Sequence, residues 1–376
     1  MRQIGTLIVI LFIVISLGIV GLGYIQRNQP EPSATPLELN LTVNPLAQAW
    51  MSEMVNRFNT SDARFIDTYA VTIILANTPI DDIDVWQKGV WNNLTPPHIW
   101  IPSSTISASS TDVNRRRLIT ITPSLAKTPL VFVTSANVAQ AITQNETVAL
   151  DWGGIQSASQ AGTWANFGAS NLNGNVTLAF SLPNNTIEGM MVMYSANAYF
   201  DSTLSLTSGN IAAFTTWFAP VVDSVPNFNT IGADVATFMA SRGASVNIGI
   251  MAESRLLNTL SAITNNRAIQ VAYPEYPVVF DFPLIFLDET GQPANESTIQ
   301  AQVAQQFGEW LSSPEQQARL VAYGLRPVES IPTSADNLFR LGIDLGVLYD
   351  PIISPALSEV ANSRARALLS WFESQR

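Results

Sequence analysis

The chain has 376 residues, with 18 Lys plus Arg against 29 Asp plus Glu, 47% hydrophobic residues, one His and no Cys. These counts exclude disulfides, thiolate metal sites, iron–sulfur clusters, Cys nucleophiles and the lipidated Cys of a bacterial lipoprotein, and the lone His98 leaves no imidazole cluster for a metal. Lys88 and Lys127 are the two lysines and the net charge is −11, so the chain lacks the basic face of a nucleic-acid binder.

From Ile4 to Ile25 the sequence carries no charge, and at ~1.5 Å per residue such a helix spans a bilayer core of about 30 Å. It reads as an uncleaved membrane anchor, with an export signal as the alternative, because it exceeds the usual core of a cleavable signal. Arg2 before the span places the short N-terminus in the cytoplasm and the rest outside. Gln26 to Pro36, with Pro30, Pro32 and Pro36, reads as an extended tether. The remainder is longer than one core usually serves, so two lobes are expected.

Alternating Leu37, Leu39, Leu41 and Val43 predict a strand that stops at Asn44-Pro45. Asn44 suits a helix cap and Pro45 the first helical position, and Trp50, Met54 and Phe58 then recur on one face. The same strand, polar turn and helix recur at Ile99 to Ser104, Leu130 to Asn137, Val176 to Gly189 and Val246 to Ser254. This alternation argues an α/β architecture with mostly parallel sheets and ligands at the carboxyl ends of the strands. Further on, Ile299, Val303, Phe307 and Trp310 trace a helix face, Ser313-Pro314-Glu315-Gln316 suits a capping box, and Gly324 suits a stop. Leu357 to Phe372 reads as a helix packed on the body, with a partner-docking surface as the alternative.

His98 before a strand reads as structural. Asp81-Asp82-Ile83-Asp84 lacks the glycine and distal Glu of a calcium loop and reads as a solvated acidic turn. Arg115-Arg116-Arg117 reads as a solvated basic run. No catalytic residue, metal site or cofactor is assigned. The polar turns after strands are the better candidates, since each sets hydroxyls, amides and backbone N–H groups at a helix start, although the same residues also serve as plain caps.

Several segments then resemble one family. Ala304 to Pro327, AQQFGEWLSSPEQQARLVAYGLRP, is similar to the ending of many bacterial extracellular solute-binding proteins. PHIWIPSS (Pro97 to Ser104) and SLAKTPLVFV (Ser124 to Val133) resemble consecutive strands of the molybdate/sulfate-type branch. ATFMASRGASVNIGIMAES (Ala236 to Ser254) resembles the approach to a ligand-facing turn, and YPEYPVVFDFPLIFLDE (Tyr273 to Glu289) the return crossover into the first lobe. Asn44-Pro45 departs from that branch's Ala-Ser turn, and Glu253 would repel an anion unless it faces away.

The resemblance implies a two-lobed type II periplasmic-binding-protein fold with an N-terminal transmembrane helix. It divides the chain into an anchor or signal segment (1–25), a linker (26–37), a first lobe in two parts (38–133 and 273–345), a second lobe (134–272) and a C-terminal helical extension (346–376). It implies a non-enzymatic, monomeric, membrane-tethered extracellular or periplasmic protein that holds a small polar solute between the lobes for an ABC permease. Carried over by position, Asn44, Ser103, Ser104, Thr186, Gly189, Glu253 and Ser254 are ligand-binding residues; Asn227, Asn229 and Thr230 are added because their polar groups cluster. The alternatives are an anchored extracellular glycan hydrolase and a sensory or adhesive ectodomain of the same fold.

Overall fold

The structure, a computed structural model, describes residues 34–92, 95–111, 116–143, 150–241, 245–289, 294–331, 338–351 and 353–375. The apolar stretch Ile4 to Ile25, most of the Pro-rich tether and Arg115 lie outside the described residues. Among the described residues no helix is long and apolar enough to cross a membrane.

In chain order the strands are β1 (Thr35–Val43), β2 (Phe65–Ile66), β3 (Tyr69–Leu75), β4 (Ile99–Ile101), β5 (Arg116–Thr122), β6 (Thr128–Thr134), β7 (Leu178–Ala179), β8 (Ser205–Leu206), β9 (Ile248–Ala252), β10 (Gln270–Ala272), β11 (Val279–Phe280), β12 (Leu284–Glu289) and β13 (Glu359–Val360). They form two main sheets, one per lobe. The first runs β2-β3-β1-β4-β12-β5, and the second runs β10-β6-β9-β7 with β11 also on β6. β1 starts at Thr35, so the last residues assigned to the tether, Pro36 among them, are already paired with β3.

Both sheets are mixed, which corrects the expectation of mostly parallel sheets. β1 is parallel to β3 and β4, and β7 to β9. β12 runs antiparallel to β4 and β5, while β6 runs antiparallel to β9, β10 and β11. Strand–helix–strand steps within a lobe make parallel neighbours. The strands that carry the chain between lobes enter from the other side and run against them. The crossings lie at Pro123–Lys127 and Asp281–Pro283, since β6 and β11 both belong to the second sheet and β12 to the first. The boundaries read from sequence, at 133/134 and 272/273, therefore sit inside or beside second-lobe strands.

The first-lobe core follows from β1. Leu39, Leu41 and Val43 are buried, and the helix Gln48–Thr60 lays Trp50, Met54 and Phe58 over them. The Phe58 ring meets Phe307 and Trp310 of the helix Ala294–Leu311 edge-on, with centroids 4.9 and 5.5 Å apart. Each fully buried side chain of this size contributes about 1.5–3 kcal/mol of transfer free energy. In the second lobe every residue of β6 is buried, and the helix Ile187–Asp201 is buried continuously from Ile187 to Ala198. That helix lies inside the lobe, and its buried polar residues Glu188, Ser195 and Asn197 accept from Arg255, Trp152 and Arg364.

The expected capping box at Ser313 does not form. The Ser313 hydroxyl donates back to the Trp310 carbonyl at 2.7 Å, and Glu315 and Gln316 instead accept from Arg57 of the first-lobe helix. Gly324 does end the following turn with φ of +67°. The C-terminal stretch packs on the body: β13 pairs with β8 in parallel, and the helix Asn362–Ser374 buries Leu368, Leu369 and Phe372.

Candidate functional site

The turns after β1 and β4 meet inside the first lobe around a carboxylate. Asn44 caps the turn Pro45–Ala47 through its Oδ1, which accepts from the Leu46 N–H at 3.0 Å. Its amide Nδ2 donates to Asp82 Oδ1 at 2.9 Å. After β4, Ser103 donates to Asp82 Oδ2 twice, from its backbone N–H at 2.8 Å and from its hydroxyl at 2.6 Å. Ser107 Oγ donates to the same oxygen at 2.5 Å. Ser104 caps the short helix Thr105–Ser109, accepting from the Ser107 N–H at 3.1 Å. Asn44, Asp82, Ser103, Ser104 and Ser107 are all buried.

Burial raises the Asp82 carboxyl above its ordinary range, and the hydrogen bonds from Ser103, Ser107 and Asn44 oppose that rise. Asp81, the cap of the helix Asp82–Trp86, reaches the other lobe. Its Oδ1 accepts from the Ile83 N–H at 3.0 Å and from the Ile187 N–H at 2.8 Å, at the start of the second-lobe helix Ile187–Asp201. Burial first, and then the neighbouring Asp82 charge, push the Asp81 carboxyl up to about 7, against the two backbone hydrogen bonds that lower it. Asp82 is thus buried and half-buried Asp81 forms a junction between lobes, which corrects the reading of this run as a solvated turn. Asp84 alone of the three behaves as a surface group, paired with Lys88 at 2.6 Å.

On the second lobe Thr186 caps the helix Ile187–Asp201, accepting from the Gly189 N–H at 3.1 Å. Gly189 is there for space, because a Cβ would lie 2.3 Å from the Ser181 carbonyl oxygen. Asn44, Ser103, Ser104 and Thr186 are therefore brought to one region, joined through Asp81 and Asp82.

The remaining candidates stand elsewhere. Glu253 is fully buried and faces inward, taking a two-point ion pair from Arg326 at 2.6 and 2.7 Å together with the Tyr273 hydroxyl. An Arg donates in a planar fork that matches a carboxylate, so this acid is spent beside the Pro123–Lys127 crossing, where the Arg326 backbone pairs with Lys127. Ser254 is buried beside it, its N–H donating to Thr128 Oγ1 at 2.9 Å. Asn227, Asn229 and Thr230 are exposed, and they cluster because Asn227 caps the helix Phe228–Ile231 through the Asn229 and Thr230 N–H groups. His98 is structural, its Nδ1 accepting from the Asn40 N–H at 2.9 Å. A groove of about 650 Å³ beside the crossover, lined by Lys127, Arg326, Tyr349 and Asp350, contains none of the converging turn residues.

Sequence reasoning missed Asp81, Asp82 and Ser107. The faint signal was Asp81 two residues after Pro79, in capping position before buried Ile83, Val85 and Trp86. It also missed a second link between lobes at the other end of that helix. Trp86 Nε1 donates to Asn362 Oδ1 at 3.1 Å and Gln87 Nε2 to Glu373 Oε1 at 3.2 Å, both on the C-terminal helix. That helix is fixed to the second lobe by Arg364, which donates to Asn197 at 2.8 Å and pairs with Asp201, and by the edge-on contact of Phe372 with Phe228 at 5.4 Å.

No protein-family model and no curated protein sequence matches the chain. Solved structures do match its fold. One described as an ABC transporter from Clostridium perfringens aligns with a TM-score of 0.56 at 11% identity, over 89% of this chain and 98% of that one. UgpB from Mycobacterium tuberculosis, in complex with glycerophosphocholine, aligns with a TM-score of 0.55 at 13% identity, over 90% and 92%. The cyclic alpha-maltosyl-1,6-maltose binding protein from Arthrobacter globiformis aligns with a TM-score of 0.52 at 13% identity, over 91% and 95%. The chain shares the two-lobed α/β fold of these three structures.

Proposed function

We propose that the chain is an extracellular solute-binding receptor that holds a small polar solute between its lobes and passes it to an ABC-type permease. In this reading the apolar segment Ile4 to Ile25 tethers it to the membrane, and it performs no chemistry on the solute. The observation that carries the reading is the convergence of the turns after β1 and β4 with the start of the helix Ile187–Asp201, joined at the Asp81 to Ile187 hydrogen bond. Turns from two lobes that meet at one point can close on a solute, and a hinge motion there couples binding to shape. The fold shared with proteins described as binding glycerophosphocholine and a cyclic maltosyl sugar supports the same reading. Ser104 and Thr186 are the proposed contacts, and Asn44 and Ser103 hold the floor beneath them.

The test is a thermal-shift screen of the full-length chain in mild detergent against sugars, amino acids, polyamines, oxyanions and metal salts. A ligand at ~100 times its dissociation constant stabilises the folded state by about 2.7 kcal/mol. A saturable rise with one chemical class is the expected result. Silence across the screen, with glycan cleavage by the same sample, would replace the receptor with a hydrolase. Silence in both assays would leave a sensory or adhesive ectodomain.

A further inference from the structure

We propose that Asp82 is a tethered carboxylate that fills a cradle of four donors in the first lobe, the place a small free anion would otherwise take. The interlobe site then takes a polar solute that brings hydroxyl or amino donors and carries no net negative charge. The inference names the solute class and rests on the receptor reading above.

Four donors point at one spot: the Ser103 N–H, the Ser103 and Ser107 hydroxyls and the Asn44 amide, at 2.5–2.9 Å from the Asp82 oxygens. They come from both strand-end turns and the helix behind the second turn. Such a set would cradle a small anion. Here it is saturated by a fully buried side chain of the same chain. A free anion would have to displace a group held in place covalently, whose effective concentration is in the millimolar range or above.

On the second lobe the Ile187 N–H, at the start of a 15-residue helix, is likewise taken by the Asp81 carboxyl. The two carboxyl groups already take the donors that an oxyanion would need, and Lys88 is paired with half-exposed Asp84 at 2.6 Å. Both hydrogen bonds to Asp81 use Oδ1, which leaves Oδ2 to accept from a hydroxyl or an amine once the carboxyl is ionised. The chemistry opposes an oxyanion and favours a donor-bearing solute.

The test empties the cradle. In Asp82→Ala the four donors lose their acceptor, and the melting temperature is expected to fall by about 5 °C or more. Sodium formate, which matches the deleted carboxylate, is expected to restore it in a saturable way against a sodium chloride control, with no such effect on the wild type. No recovery with formate would overturn the inference. A measurement on the wild type needs no variant to fold: sulfate, molybdate and phosphate are expected to leave its melting temperature unchanged at matched ionic strength. A saturable rise with any of them would overturn it. Formate rescue combined with a silent solute screen would keep the tethered carboxylate and remove the receptor reading, so the two fail separately.

Discussion

Asp81 joins the lobes through one oxygen, and its protonation state sets a pH dependence. Its carboxyl is raised from 3.8 to about 7 in the folded state. The folded form then holds a proton that the unfolded form has already released between those values. Stability is therefore expected to fall as pH rises from about 4 to about 7, and to level off above that. Asp81→Asn still accepts from Ile83 and Ile187, so a flattened slope in urea melts between pH 4 and 7 is expected; an unchanged slope would assign the titration elsewhere. Asp82 adds a contribution of the same sign, and the Ser103, Ser107 and Asn44 donors hold it down. Glu253 gives a second residue-scale prediction. Glu253→Gln leaves Arg326 buried without its counter-charge, which costs about 3–5 kcal/mol in chemical denaturation. A loss below ~1 kcal/mol would show that the Leu348 and Tyr349 carbonyls suffice for the guanidinium. The caps were legible at this scale, since Asn44, Ser104 and Thr186 all sit where their side chains accept from backbone N–H groups. The buried acids were not, because an acidic run before a helix looks the same in solvent or in a core. Asp82 is buried by Ser103 and Ser107, and Asp81 by Ile187, far along the chain.

The elements followed their local patterns where periodicity was strong. β1, the helix Gln48–Thr60 and the helix Ala294–Leu311 carry their apolar residues on the expected faces. Strand direction was not legible, because the sequence of β12 is the same whichever way its neighbours run. The failed capping box at Ser313 makes the same point, since Arg57 outcompeted a local hydrogen bond for Gln316. The helix Ile187–Asp201 presses its first turn onto the backbone of Ser181 to Pro183, which only Gly189 permits. Gly189→Ala is expected to cost about 1–3 kcal/mol and to lower solute affinity with it, because the shifted turn carries Thr186. Full stability in the alanine variant would mean that the turn yields freely.

At the scale of the whole molecule, the short helix Asp82–Trp86 belongs to the first lobe, yet both its ends are bound to the second. Asp81 meets Ile187 at one end, and Trp86 and Gln87 meet the C-terminal helix at the other. Two lobes were legible from chain length and from the alternation of strands and helices. The strap formed by the last helix was not, because an amphipathic stretch does not say which lobe it covers. A solute taken between the lobes needs them free to part. The chain has no native cysteine, so a pair of introduced thiols can report on that freedom. Gln87→Cys with Glu373→Cys places two thiols on opposite lobes, outside the converging turns, where a short bis-maleimide can bridge them. The measurement is the thermal shift given by the stabilising solute class before and after bridging. The shift is expected in the unbridged double variant and is expected to be lost once the lobes are locked; an undiminished shift after bridging would place the solute outside the cleft.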